Sequence, residues 1–302
     1  MTSTLIHISV NDGHHPSYQA LFVRLLQGEA STGAIRGRRF WRLVRAPRLL
    51  FATIDSDYLG FIAVALLRSL QNKPTTAIFL RSMQCFRSER SIVYPMKRAV
   101  FSWLRHLPRL RILAIVPFDI YPNLEQVSHG WIHDPQMWDL WVDGPPKLPD
   151  TDLSRRVEAT RRGRKVMIFV GKASSIKGFS EFVEIAHQSP DKMLVVVAGQ
   201  IASQCRSSAD SLRSIGMIVE DRFVTDEEIL SLYKVADCAW CRYAPGYDQA
   251  SGVFGRAFQT GVEPIMRDGS VVHTILSKYR AVPVDTIMAE SLSRLIINTQ
   301  QN

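Results

Sequence analysis

The feature that most constrains the fold is the stretch VMIFVGKASSIKGFSEFVEIA, residues 166–186. Val166–Val170 is an apolar run typical of a buried strand, and an amphipathic helix begins after the short polar loop that follows. The loop holds Gly171, Lys172 and Lys177. A helix N-terminus presents unpaired N–H groups and a positive dipole end, and each lysine adds a point charge that suits phosphate. The sequence therefore predicts an anion site, with a diphosphate-bearing small molecule as the first ligand to consider.

Strand-like and helix-like segments alternate on both sides of this stretch. The segments with strand character are LIHISV, LLFATI, TTAIFL and LRILAIVPF in the first half, and KVMIFV, KMLVVVAG, MIVEDRFV, CAWCRY and EPIMRD in the second. Thr225, with Glu228 three residues later, predicts a helix start through a capping box. This alternation indicates βαβ units and parallel sheets, which bind ligands at the carboxyl ends of their strands.

A change of composition separates the two halves. Residues 143–165, DGPPKLPDTDLSRRVEATRRGRK, are rich in proline and charge, and they predict a linker or exposed hinge with a short helix. The 302 residues suffice for two α/β domains. We predict domains over 1–145 and 165–302, a linker over 146–164, two doubly wound parallel sheets, and a ligand cleft between the domains.

The charge and the cysteines narrow the choice of partners and compartment. A net charge of +9 favours nucleotide phosphates, an anionic membrane or nucleic acid, but no nucleic-acid-binding motif is present, so we expect no nucleic acid partner. Four cysteines make no disulfide framework, and the C-x-x-C of Cys238 and Cys241 has no second pair, so no metal is expected. Neither a signal peptide nor a transmembrane span is visible, which predicts a cytoplasmic protein.

Two segments mix basic and aromatic residues. They are GAIRGRRFWRLVRAPR (33–48) and YPMKRAVFSWLRHLPRLRIL (94–113). Arginine and lysine interspersed with Trp, Phe and Leu are typical of helices that lie on anionic lipid. We expect peripheral attachment to the inner face of the cell membrane; the alternative is an ordinary amphipathic helix with a solvated cationic face.

Four motifs in the second half occur in a recognisable order: VGKASSIKG, LVVVAG, VTDEEILSLYKVADCAW and SGVFGRAFQTGVEPIM. Over about residues 165–268 the chain resembles the nucleotide-sugar-binding C-terminal domain of retaining glycosyltransferases of family 4. The resemblance implies the GT-B fold, in which two Rossmann-like domains face each other across a cleft. It also implies a nucleotide-diphosphate sugar as donor, a lipid-linked or glycan acceptor, no cofactor besides the donor and no metal.

The resemblance also assigns donor-binding positions. Those that match the family pattern for the diphosphate and nucleotide are Gly171, Lys172, Lys177, Gly199, Val224, Ser251 and Gly252. The family usually carries two glutamates separated by seven residues, and here Asp248 and Arg256 stand at those places. Aspartate still accepts hydrogen bonds, whereas Arg256 accepts none. We therefore expect Arg256 to contact phosphate or a carboxylated sugar.

The N-terminal half resembles the family less. In the loop NDGHHPSY, Gly13 allows close approach of the donor, and His14 or His15 is a candidate for binding the diphosphate or the acceptor. Asp119, in VPFDIYP, follows an apolar strand and should reach the cleft. The catalytic candidates are thus Asp119, His14 and Asp248, with Asp55 and Asp57 as the acidic alternatives to Asp119.

These observations predict a glycosyltransferase that moves a sugar, with retention, from a nucleotide-diphosphate sugar to a lipid-linked or polysaccharide acceptor in bacterial surface or exopolysaccharide synthesis. Two alternatives stay open. One is a sugar-nucleotide 2-epimerase of the same fold, and the other is a catalytically inactive relative that acts as a partner protein.

Overall fold

The structure, a computed structural model, describes residues 3–11, 15–87, 91–245, 247 and 251–300. Its backbone contacts divide the chain into two compact units. The first unit is Met1–Pro135 together with Asp285–Asn302, and the second is Gln136–Val284. Each unit is built around one parallel sheet with helices packed on it.

The first unit has a six-stranded sheet of order β2-β1-β3-β4-β5-β6, in which all neighbours pair in parallel. Its strands are β1 (Thr4–Ile8), β2 (Glu29–Thr32), β3 (Arg48–Phe51), β4 (Thr75–Phe79), β5 (Leu110–Ala114) and β6 (Gly130–Trp131). Its helices are α1 (His15–Leu26), α2 (Gly37–Arg45), α3 (Tyr58–Leu70), α4 (Val93–Leu104) and, at the end of the chain, α11 (Val284–Gln300). Short 3-10 helices cover Ser82–Phe86 and Pro122–Gln126.

The second unit has a five-stranded parallel sheet of order β11-β10-β7-β8-β9. Its strands are β7 (Lys165–Val170), β8 (Met193–Ala198), β9 (Ile218–Glu220), β10 (Cys238–Trp240) and β11 (Glu263–Ile265). Its helices are α5 (Asp152–Arg161), α6 (Phe179–Gln188), α7 (Arg206–Ser214), α8 (Asp226–Val235), α9 (Gly252–Thr260) and α10 (Val271–Tyr279). Short 3-10 helices cover Pro135–Met137, Asp139–Trp141, Ser175–Lys177 and Ser203–Cys205.

The predicted fold class is confirmed: both sheets are parallel, and each predicted strand segment contains a strand. Two strands have no counterpart in the sequence prediction. β2 is the sequence EAST at the edge of the sheet, with only Ser31 buried, and β6 has two residues. Neither strand shows the apolar run or the alternation by which a strand is recognised in sequence.

The chain reverses its direction of travel across the second sheet. From β7 it moves to β8 and β9 on one side, and then it returns to β10 and β11 on the other side. The direction therefore changes between the neighbouring strands β7 and β10. In doubly wound sheets this switch point is the usual place for a ligand.

The segment predicted as a linker, 146–164, packs within the second unit. Its helix α5 buries Leu153 and Val157 in the core of the sheet, and Thr151 Oγ1 lies 2.7 Å from Ser231 Oγ on α8. Two apolar residues one turn apart give the helix a buried face, which the prolines and charges around it conceal in the sequence.

The last helix, α11, belongs to the first unit, although the sequence prediction extends the second domain to residue 302. The backbone amide of His133 donates to Ser291 Oγ at 3.2 Å, and the Arg294 guanidinium lies 3.8 Å from the centre of the Trp131 ring. Ile287 and Leu295 are buried. These contacts join residues far apart in sequence, so the composition could not show them.

Within the described part of the chain, no helix is both long enough and apolar enough to cross a bilayer.

Candidate functional site

The carboxyl ends of β7 and β8 approach each other at two glycines. The Gly171 amide donates to Ala198 O at 2.9 Å, and Gly199 has a φ of +142°. A Cβ on Gly199 would lie 2.3 Å from Gly171 O, which no side chain tolerates. The two glycines predicted to bind the donor are thus neighbours, and they let two backbones meet at the strand ends.

The Lys177 side chain folds back over the end of β7. Its Nζ lies 3.3 Å from the position that a Cβ on Gly171 would take. The residue is half-buried, and no described residue accepts a hydrogen bond from its Nζ. Burial lowers the pKa of Lys177 below the usual 10.5. A partly desolvated ammonium group with no counter-ion gains free energy when an anion binds beside it.

The loop that carries Lys177 is clamped to the loop after β10. Trp240 Nε1 donates to Lys177 O at 2.9 Å, and the Ala244 amide donates to Ile176 O at 2.9 Å. The Trp240 ring is buried against Phe182 on α6. The core of the second unit therefore fixes the backbone of the lysine loop at the switch point.

Gly178 completes the clamp. It adopts the left-handed conformation, with φ +72°, and a Cβ there would lie 2.3 Å from Arg242 O. Arg242 Nε in turn donates to Glu181 on α6 at 2.7 Å. Only glycine fits where these two loops touch.

Lys172 lies on the same loop but is exposed to solvent. No described residue accepts a hydrogen bond from it. Because its stem is flexible, the ammonium group can reach an anion without rearrangement of the backbone.

The N-terminus of α9 is a second open donor group on the loop after β10. Ser251 precedes the helix, but its side chain does not cap it; its Oγ instead lies 2.6 Å from the Tyr243 hydroxyl. The first amide held within the helix is that of Gly255, which donates to Ser251 O at 2.8 Å. No described residue accepts from the amides of Gly252, Val253 or Phe254, so these three N–H groups at the positive end of the helix have no acceptor in the described part of the chain.

Val224 is buried within the second unit. Its side chain is only 5% exposed and belongs to the core of the second unit. Its neighbour Phe223 is exposed.

Arg256 is held by a carboxylate of its own unit. Its guanidinium donates to both oxygens of Asp139, with Nη2 to Oδ2 at 2.9 Å, and both side chains are mostly buried. Gln259 Nε2 donates to Gln136 O at 2.6 Å, and Gly255 approaches the same carbonyl so closely that a Cβ would lie 2.3 Å from it. Arg256 thus fastens α9 to residues 136–141, and a donor phosphate would have to compete with Asp139 for it.

Three predicted site residues, Gly13, His14 and Asp248, lie outside the described residues. Asp119 lies in the exposed turn that follows β5 in the first unit, and its charge acts on His133. Asp119 belongs to the first unit, and the lysine loop belongs to the second.

The acidic alternatives Asp55 and Asp57 have structural contacts. Asp55 accepts hydrogen bonds from the amides of Leu80 and Arg81 at 2.8 and 3.1 Å, and from the Tyr58 hydroxyl at 2.7 Å. Asp57 caps α3 by accepting from the Gly60 amide at 3.0 Å. Both carboxylates thus organise the carboxyl edge of the first sheet.

Among the described residues, no group of three His, Cys, Asp or Glu side chains is placed to hold a metal ion. Cys238 and Cys241 are free and buried, and burial raises the pKa of Cys238 to about 11 and that of Cys241 further. Thiols that stay protonated are poor metal ligands and poor nucleophiles.

Comparison with solved structures identifies the architecture. The chain is similar to Anabaena HepE in complex with UDP and glucose, with a TM-score of 0.58 over 99% of this chain and 96% of that one. The fold is GT-B. The sequence identity to that HepE structure is 11%. For HepE in complex with UDP-glucose, the sequence identity is 9% and the TM-score is 0.58, over 98% of this chain and 95% of that one. Identities this low show the fold alone.

A second similar structure is a putative UDP-N-acetylglucosamine 2-epimerase from Listeria monocytogenes. Its TM-score is 0.57 at 11% identity, covering 97% of this chain and 88% of that one. A scan against protein-family models finds no match to the sequence, and a search of curated proteins finds none either.

The first unit of this GT-B chain contains a hydrogen-bonded pair, His133 and Glu290, that the sequence did not predict. His133 is buried after β6, and its Nε2 lies 3.0 Å from Glu290 Oε2 on α11. Burial lowers the pKa of His133. The histidine lies in the segment HDPQMWDLW, whereas the carboxylate that it contacts, that of Glu290, lies 157 residues further along the chain. No local sequence pattern connects the two residues.

Proposed function

We propose that the protein is a glycosyltransferase that takes a nucleotide-diphosphate sugar as donor and binds its diphosphate at the carboxyl ends of β7 and β10. One observation carries the proposal: the half-buried Lys177 ammonium group has no acceptor among the described residues. The open N-terminus of α9 supports it, because it lies on the loop clamped to the lysine loop. A diphosphate would supply acceptors for both groups.

The same groups would stabilise the departing charge in the transfer step. The bond between the anomeric carbon and the diphosphate oxygen breaks, and the acceptor hydroxyl oxygen bonds to that carbon while its proton passes to the diphosphate. Negative charge then grows on the diphosphate, where Lys177, Lys172 and the α9 amides would stabilise it. The Trp240 and Gly178 contacts hold the backbone at Lys177 in place, so little reorganisation of that loop is needed.

We extend the proposal to the finer chemistry. The four ordered motifs over residues 165–268 support transfer of a hexose with retention, in the manner of family 4. HepE has been solved with UDP and with UDP-glucose, which makes UDP-glucose the first donor to test. The cationic first half of the chain supports a lipid-linked or polysaccharide acceptor of bacterial surface or exopolysaccharide synthesis. No cofactor besides the donor is proposed.

The test is UDP binding to Lys177→Met, measured by isothermal titration calorimetry and by the thermal shift that UDP produces. Loss of one charge-assisted contact should weaken binding about 10- to 100-fold. Lys165→Met is the matched control, because Lys165 is an exposed lysine at the amino end of the same strand. Unchanged UDP binding in Lys177→Met would contradict the proposed site.

The pH dependence provides a second measurement on the same residue. Binding needs the charged ammonium, and burial lowers the pKa of Lys177, so UDP affinity should fall with rising pH below the usual lysine value of 10.5. In Lys177→Arg the charge persists and that fall should move to higher pH. An alkaline limit that is the same in both proteins would show that another group titrates.

A 2-epimerase is the second candidate, because the chain shares its fold with the putative Listeria epimerase. NMR spectra of UDP-N-acetylglucosamine incubated with the protein separate the two activities. An epimerase inverts the configuration at C2 and leaves the nucleotide attached, whereas a transferase releases UDP when an acceptor is present. UDP binding without either change would identify a non-catalytic partner protein.

A further inference from the structure

Helix α3 of the first unit turns its apolar residues outward. Its solvent face is formed by Leu59, Ala63, Leu66 and Leu70, which follow one another at intervals of three and four residues. Leu59 and Leu70 are 82% and 84% exposed. A helix that faces water normally carries polar residues on that side, so this face is suited to an apolar environment.

The only charged residue of α3 points the opposite way. Arg68 is fully buried, where its guanidinium donates to Leu43 O, Ala46 O and Pro74 O at 2.9, 2.6 and 2.6 Å. It has a structural role in tying α3 to the end of α2. Helix α3 is thus apolar on its solvent face as well as on its buried face, where Phe61 and Val64 lie in the core.

Helix α4 repeats the pattern beside α3. Ile92, Met96, Ala99 and Trp103 form one exposed stripe, and Trp103 is 53% exposed. The inner side of α4 packs on α3, since the rings of Phe101 and Phe61 stack at 6.3 Å. Both apolar surfaces therefore lie on the same side of the sheet.

Helix α2 borders this apolar area with positive charge. Its outward face consists of Arg38, Trp41, Arg42 and Arg45. Arg42 pairs with Glu29 at 3.4 Å, which leaves Arg38 and Arg45 as the positive charges of this face; within residues 36–87 and 91–106 the acidic side chains are Asp55 and Asp57, and both are engaged by backbone amides. The surface is apolar in the middle and cationic at the side.

We propose that the outer faces of α2, α3 and α4, which we name the outer helix layer, bind the surface of a bilayer that contains anionic lipid. Leucine, methionine and tryptophan side chains would enter the region between headgroups and acyl chains, while the arginines of α2 pair with lipid phosphates. Charge complementarity selects this occupant, because a protein surface would have to be both apolar and strongly acidic to match. The inference concerns the first unit and stands apart from the donor site in the second.

The layer differs from the attachment site that the sequence predicts. The two basic residues of α4 differ: Lys97 is half-buried, with its Nζ 4.2 Å from the centre of the Tyr58 ring, whereas Arg98 is exposed beside the apolar stripe. The structure makes α3, a helix with no exposed charge, the centre of the surface. Insertion of apolar side chains is then as important as electrostatic attraction.

The test is co-sedimentation of the full chain with vesicles of equal parts phosphatidylglycerol and phosphatidylcholine. The protein should bind these vesicles, bind pure phosphatidylcholine less, and lose affinity at high salt. Leu70→Gln/Trp103→Gln should weaken binding at least about tenfold, because both side chains lose their burial in lipid. Ile296→Gln, which changes an exposed apolar residue of α11, is the matched control and should bind as before.

A second pair of variants tests the charge. Arg38→Ala/Arg45→Ala should weaken binding to the anionic vesicles about tenfold. Arg155→Ala/Arg213→Ala removes two exposed arginines from the second unit and should leave it unchanged. UDP-induced thermal stabilisation, measured on every variant, shows that the fold and the donor site are intact and separates failure here from failure of the proposed function.

Three results would overturn the inference. The first is no vesicle binding by the unchanged protein, and the second is vesicle binding by Leu70→Gln/Trp103→Gln equal to that of the unchanged protein. The third is a dimer in sedimentation velocity that the same double variant abolishes, since the layer would then be an interface between two copies of the chain.

Discussion

Gly178 and Gly216 provide a matched pair for testing the clamp at the proposed donor site. Both adopt the left-handed conformation, with φ +72° and +75°. A Cβ on Gly178 would lie 2.3 Å from Arg242 O and 3.2 Å from Trp240 Nε1, whereas a Cβ on Gly216 would meet nothing within 4 Å. Substitution by alanine therefore imposes the same backbone strain at both positions and a steric overlap at only one.

The expected magnitudes follow from these contacts. Alanine in the left-handed region costs about 1–2 kcal/mol, and the smaller entropy of the unfolded chain returns up to about 1 kcal/mol, so Gly216→Ala should lose about 1 kcal/mol. In Gly178→Ala the two loops must also move apart. The bonds from Trp240 Nε1 to Lys177 O and from Ala244 N to Ile176 O, both 2.9 Å, then lengthen or break. At about 1 kcal/mol for each, the total destabilisation is about 3 kcal/mol.

Thermal unfolding followed by circular dichroism measures the difference. A gap of about 2 kcal/mol should lower the Tm of Gly178→Ala by about 4–8 °C relative to Gly216→Ala. Calorimetry should show weaker UDP binding for Gly178→Ala alone, because displacing the loop moves Lys177. Equal Tm values for the two variants, or UDP affinity unaffected by Gly178→Ala, would refute the idea that this contact positions the lysine.

Two further predictions concern buried polar groups. Arg256→Met should destabilise the protein by about 2 kcal/mol in urea unfolding, because it leaves the mostly buried Asp139 without its cation. The double variant Arg256→Met/Asp139→Leu should recover most of that stability. If UDP affinity is low in Arg256→Met and stays low in the double variant, Arg256 binds the donor as well. His129 is neutral in the fold, since Nδ1 accepts from the Ile112 amide and Nε2 donates to Arg105 O, and burial lowers its pKa to about 4. The contribution of neutral His129 to the free energy of unfolding is complete above pH 6.5 and falls by up to about 3 kcal/mol as the pH drops towards 4. The urea midpoint of His129→Gln should therefore depend less on pH over that interval than the midpoint of the unchanged protein. An identical pH dependence in the two proteins would contradict the assignment.

Local signals in the sequence predicted the elements well. The capping box at Thr225 and Glu228 is present, with each residue bonded to the other's backbone amide. KVMIFV forms β7 with the predicted limits, because the apolar run Val166–Val170 suits a strand buried on both faces. Short edge strands such as β2 were missed, because an edge strand buries too little to need an apolar pattern.

The candidate site was predictable in part. Glycines and lysines at a strand–helix junction indicate an anion site whatever the rest of the fold, and the structure brings Gly171, Gly199 and Lys177 together. The pairing of Arg256 with Asp139 was not predictable, since 117 residues separate them. The contact between the lysine loop and the loop after β10 was not predictable either, because it depends on the close approach of the Arg242 carbonyl to Gly178.

The sequence by itself determined the alternation of strands and helices, because hydrophobic periodicity acts over a few residues and needs no distant partner. It also determined that a cationic loop ends β7. Only the tertiary structure decided which side of each helix faces water. In α3 the leucines point outward while Arg68 is buried among carbonyl groups supplied by other segments. Burial depends on which elements pack against a residue, and those elements come from remote parts of the chain.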